Sequence, residues 1–82
     1  MLSDFKTMDA IKLITIELEK AEAKHPNWPS DIVHQSAIMA EESGETTQAA
    51  LDVFYDGKSI EAVRLEAAQT GAMALRILKN LS

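Results

Sequence analysis

A chain of 82 residues without cysteine has room for one small domain, and no disulfide or thiolate metal site to reinforce it. Its net charge of −5, from 8 basic and 13 acidic residues, argues against a duplex nucleic-acid binder but not against a nucleotide held through a divalent cation. Between Met1 and Lys20, Asp4, Lys6, Asp9, Lys12, Glu17, Glu19 and Lys20 interrupt every apolar run before it reaches the length of a leader core or membrane span, so a soluble, cytoplasmic setting with no membrane partner is expected.

Hydrophobic periodicity divides residues 1–82 into three helices of a single domain. The first spans about Ser3 to Lys24, with Ser3 as N-cap and Phe5, Met8, Ile11, Ile14, Leu18 and Ala21 three or four residues apart. His25-Pro26-Asn27-Trp28-Pro29 stops it, because each proline disfavours helix in the residue before it. Ser30 or Asp31 caps the second helix, which continues to about Phe54 or Tyr55. Asp56-Gly57 ends it, the glycine being free to turn left-handed.

Ser59 caps the third helix, which runs to about Leu81 and is apolar nearly all round through Val63, Leu65, Ala67, Ala68, Ala72, Met73, Ala74, Leu75, Ile77 and Leu78. Short loops predict antiparallel chain neighbours. Two helices cover only part of such a third one, so the all-α protomer is expected to dimerise, with the second and third helices of both copies forming a shared bundle.

Several acids occupy positions that periodicity assigns to the core. At about 100° per residue, Ile38, Met39, Glu45, Ala49 and Val53 lie within roughly 60° of Glu42, and Glu41 lies at the edge of that stripe. Glutamates are rarely buried unless paired or bound to metal, and Glu41-Glu42-Ser43-Gly44-Glu45 concentrates three of them. Gly44, unfavourable inside a helix, suggests a close approach there. The third helix repeats the pattern, with Glu66 sharing a face with Ala62, Val63, Gln69, Met73 and Ile77. Two such acid-bearing stripes on adjacent helices can surround a hard divalent cation, which prefers oxygen ligands. The plainer alternative is a structural ion pair of Glu66 with Arg64, Arg76 or Lys79.

From His25-Pro-Asn-Trp-Pro through Glu41-Glu-Ser-Gly-Glu45 to Glu66-Ala-Ala-Gln69 and Ala-Met-Ala-Leu-Arg76, the sequence resembles the MazG-like branch of the all-α nucleoside triphosphate pyrophosphohydrolases. That family carries E-E-x-x-E on one helix and E-x-x-D on the next, and coordinates magnesium with them. It cleaves nucleoside triphosphates to monophosphate and pyrophosphate, as dimers or dimers of dimers of a helical bundle.

The resemblance implies Mg2+ (or Mn2+) held by Glu42, Glu45, Glu66 and Gln69. It leaves Glu41 as catalytic base or second-metal ligand. Gln69 departs from the family aspartate: an amide oxygen ligates magnesium without bringing charge, so metal affinity falls. The alternative to an enzyme is a non-catalytic metal- or nucleotide-binding helical interaction protein.

Three further residues are candidates for substrate contact. His34 lies about 10 Å along the axis from Glu41, within reach of a phosphate but not of a shared metal. Arg76 stands two turns beyond Gln69 and can bind a phosphate, or end a salt bridge. Trp28 can stack on a nucleobase, or plug the end of the helical core.

Overall fold

In a computed structural model, which describes residues 5–81, the chain forms α1 (Phe5–Lys24), α2 (Ile32–Asp56) and α3 (Ile60–Leu81), with no strand among the described residues. The helix ends follow from local chemistry. The Asp31 carboxylate accepts from the His34 N–H at 2.7 Å and caps α2. Gly57 takes φ 64°, and the N–H groups of Gly57 and Lys58 donate to Val53 and Asp52 carbonyls, closing α2 in a left-handed cap. Ser59 Oγ accepts from the Glu61 N–H at 3.1 Å where α3 begins. The expected cap at Ser3 lies outside the described residues.

α3 is the central element. It forms an antiparallel hairpin with α2, as the short loop predicts, and α1 packs on its other flank. Contacts between α1 and α3 rise together along both helices, Glu17 with Gln69 and Glu22 with Lys79, so these two helices run parallel. Among the described residues no α1 Cα lies within 8 Å of an α2 Cα. The connection between α1 and α2 therefore crosses the end of α3.

Small residues make that arrangement possible. A Cβ on Gly71 would sit 3.0 Å from Ile14 Cδ1, so glycine here lets α1 approach α3. Ala72 beside it is fully covered, and with Leu18 and Met73 it forms the core, closed by Ile14, Ala21, Trp28, Ile38 and Met39. Gly44 does not have this role: a Cβ there would meet nothing within 4 Å.

The core cluster lies toward one end of the layer, with Ala49 and Ala68 buried outside it. Met8 and Ile11, which share the apolar stripe of α1, are exposed, and a groove of about 830 Å³ separates the N-terminal half of α1 from Arg64, Ala67 and Ala68 of α3. Leu65, Leu75 and Leu78 of the apolar third helix are exposed as well. No described helix is long and apolar enough to cross a membrane.

Candidate metal centre

Glu42 and Glu45 are one turn apart on α2, and Glu66 faces them from α3. One carboxylate oxygen from each comes within 4.8 Å of the others. Glu42 and Glu66 are half-buried, while Glu45 is exposed and marks the open side. Glu41 is exposed and outside this triad.

The helices are joined beside the triad by Thr46 and Thr70, each four residues beyond one of the half-buried acids. Their hydroxyl oxygens are 3.0 Å apart. Thr46 Oγ1 also lies 3.1 Å from the Glu42 carbonyl, and Thr70 Oγ1 lies 2.9 Å from the Glu66 carbonyl. Two hydroxyl protons are shared among these three contacts, so one threonine donates across the helices while the other donates to the carbonyl of its own glutamate.

The electrostatics of the triad are unfavourable as they stand. Burial pushes the Glu42 carboxyl above the usual carboxylate range, and the charges of Glu45 and Glu41 push the same way. Burial likewise raises Glu66, followed by its hydrogen bond and charge interaction with Glu45 and the charge of Glu42. Among the described residues, Glu42 Oε2 and Glu66 Oε2 are buried without a hydrogen-bond partner.

Among the described residues, the three cations of the ion-pair alternative have other partners. Arg64 pairs with Glu61 at 3.1 Å, Arg76 turns to the His25 carbonyl, and Lys79 pairs with Glu22. Repelling carboxylates with unpartnered oxygens and one open side fit a hard divalent cation, which takes oxygen ligands and removes the repulsion.

A cleft of about 460 Å³ adjoins the triad at Glu42. Its lining includes Gln69 and Met73 of α3, Glu17, Lys20 and Lys24 of α1, and His25 just beyond α1. One wall therefore carries a carboxylate of the triad, and another carries two lysines a helical turn apart.

The remaining predicted contacts fall into two groups. Gln69 lines the cleft, but its amide nitrogen donates to Glu17 Oε1 at 3.4 Å. Arg76, Trp28 and His34 stand outside the cleft lining. Arg76 is 4% exposed; its Nη2 donates to the His25 carbonyl at 2.8 Å, and its guanidinium carbon lies 4.5 Å from the Trp28 ring centroid. Trp28 plugs the core end under that stack. His34 is exposed in the first turn of α2.

Sequence reasoning passed over Glu17, Lys20 and Lys24. Glu17 is 6% exposed and sits between Ile14, Leu18 and Ala21 in the α1 stripe. The reasoning that singled out Glu42, an acid on an apolar face, applies equally to it. Compared with family models, curated proteins and solved structures, the chain matches none.

Proposed function

We propose that this chain is a magnesium-dependent nucleoside triphosphate pyrophosphohydrolase of the MazG-like type, hydrolysing its substrate to monophosphate and pyrophosphate. The observation that carries this reading is the triad Glu42, Glu45 and Glu66, with two buried unpartnered oxygens, opening beside a cleft lined by Lys20 and Lys24. A cation at one side and ammonium groups at the other suit a ligand with several linked phosphates. A lone carboxylate metabolite would leave one end unused.

Glu42, Glu45 and Glu66 hold the metal, and Gln69 adds a neutral oxygen. Bound there, magnesium supplies charge neutralisation for phosphate oxygens and makes water a stronger acid. Lys20 and Lys24 attract and orient the phosphates at the far side of the cleft. Glu41, exposed and close enough to raise the Glu42 pKa, takes the role that the resemblance implies, accepting the proton of the attacking water or ligating a second metal. Leu65, Ala72 and Met73 supply the apolar part of the cleft lining.

The working form is a homodimer or a dimer of dimers. The protomer exposes 6116 Å² at 9.0 kDa, against about 4,900 Å² for a compact monomer of that mass. Its Cα radius of gyration is 13.8 Å, where about 12 Å is expected for this length. The surplus resembles what one partner buries in a stable interface. Much of it is apolar: Phe54, Tyr55, Ile60, Leu65 and Leu78 on α2 and α3 are all exposed.

One observation favours a second reading, a metal- or nucleotide-binding helical module without turnover: Gln69 brings no charge and gives its amide nitrogen to Glu17. The deciding experiment is pyrophosphate release from a panel of ribo- and deoxynucleoside triphosphates with magnesium or manganese. Glu42→Gln serves as the control. Release that disappears in the control supports the hydrolase. Silence across the panel, with manganese binding intact, selects the binding module.

A further inference from the structure

We infer that Glu17 is a positioning residue for the metal site, acting through Gln69, and that the two residues form a coupled pair in which an acid at position 69 is disfavoured while Glu17 remains. This inference rests on the reading of Glu42, Glu45 and Glu66 as a cation site.

Glu17 belongs to α1, which contributes nothing to the triad. Its carboxylate is nevertheless almost fully buried, a state that requires donors. Two reach it: Lys20 Nζ at 3.2 Å, from the same helix, and Gln69 Nε2 at 3.4 Å, from α3. Lys20 is largely exposed, so Gln69 is the donor that joins Glu17 to the rest of the fold.

A primary amide has a donor end and an acceptor end. With the nitrogen engaged by Glu17, the carbonyl end of Gln69 faces away from that carboxylate. An amide carbonyl is a suitable ligand for a hard cation, and Gln69 stands one turn beyond Glu66 on the same helix. Glu17 thereby selects which end of the amide is offered to the cation. Glu17, Gln69 and Glu42 all line the cleft beside the triad.

The same contact explains why glutamine is tolerated where a charged ligand would bind metal more strongly. Aspartate at position 69 would remove the donor that Glu17 uses and put a second carboxylate in its place. Charge added for the metal would be set against repulsion from α1. Reversing the polarity of the pair removes that conflict, because glutamine at position 17 can donate to an acid at position 69.

The test is a four-member cycle on the full chain: the parent, Glu17→Gln, Gln69→Asp and the double variant. Each is melted without divalent cation and titrated calorimetrically with Mn2+. Gln69→Asp alone should lower the metal-free melting temperature by roughly 5 °C. The double variant should recover most of that loss and bind Mn2+ about tenfold more tightly than the parent, as an added ligand charge predicts. Glu17→Gln alone should weaken Mn2+ binding, although it touches no carboxylate of the triad.

Additive effects, with Gln69→Asp gaining affinity at no cost in melting temperature, would overturn the coupling while leaving the cation site standing. A parent chain that binds no Mn2+ removes the cation site and this inference together.

Discussion

Thr46 and Thr70 meet at 3.0 Å between α2 and α3, each also in contact with the backbone carbonyl of the half-buried glutamate one turn before it. The pair sets the separation of Glu42 and Glu66 without using either carboxylate. Replacing one hydroxyl with a methyl of similar shape leaves the other threonine without its partner across the helices. Thr46→Val and Thr70→Val should each cost about 1 kcal/mol. The double variant should cost less than their sum, since the partners leave together. Urea denaturation of the four proteins measures the coupling. Zero interaction energy would mean that the contact adds nothing to the hairpin.

Glu42 and Glu66 govern how stability responds to pH and metal. Both carry folded-state pKa values raised above the ordinary 4.5. Groups raised in this direction contribute stability that is full below the unfolded pKa and lost as pH climbs through the folded values. For these two groups, the contribution to the metal-free melting temperature should fall as pH climbs from the ordinary carboxylate range toward neutrality. Millimolar magnesium should raise the melting temperature at neutral pH, and that gain should shrink on acidification as protons compete for the ligands.

Glu42→Gln should stabilise the metal-free protein at neutral pH and abolish the response to magnesium. Scanning calorimetry across pH, with and without magnesium, checks both statements. A melt indifferent to magnesium, manganese and calcium would remove the cation site.

Arg76 holds the connection between α1 and α2. Its guanidinium donates to the His25 carbonyl and lies over Trp28, so it pins the crossing between α1 and α2 to the end of α3. Arg76→Ala should cost about 2–4 kcal/mol, from the lost charged hydrogen bond, the cation–π stack and the packing beneath it. Arg76→Lys should recover little, because an ammonium cannot reproduce a planar guanidinium stacked on a ring. Nucleotide titrations of the folded fraction should show unchanged affinity. A selective loss of nucleotide binding at unchanged stability would restore the phosphate-binding reading.

The helix boundaries were legible because their determinants are local. Asp31, Gly57 and Ser59 act on backbone groups within a few residues. The acids of α2 and α3 were legible because charge on an apolar stripe is visible in one helix at a time. What escaped depends on the order in which helices pack. Nothing local says that α1 lies against α3 and not against α2, so Glu17 was not connected to Gln69, nor Gly71 to Ile14. Arg76 was ambiguous for the same reason: its spacing from Gln69 suggested one face, and its hydrogen-bond partner His25 lies 51 residues earlier in the chain. Gly44 shows the opposite failure, a local oddity with no close neighbour within the protomer.

The position of the apolar surface predicts self-association. Leu18, Ala72 and Met73 make a small core, while Phe54 and Tyr55 stack edge-to-face at 4.8 Å with both rings exposed. A protomer with so little buried inside it has limited stability of its own, and a second copy laid along α2 and α3 would cover these rings with Leu65 and Leu78. Sedimentation at micromolar concentration should give at least twice the 9.0 kDa of one chain. The melting temperature should rise with protein concentration, as mass action requires of a folded dimer. Phe54→Glu should shift the mass toward the monomer and flatten that dependence. A monomer at all concentrations, with Phe54→Glu melting like the parent, would show that the protomer is stable with these rings in water.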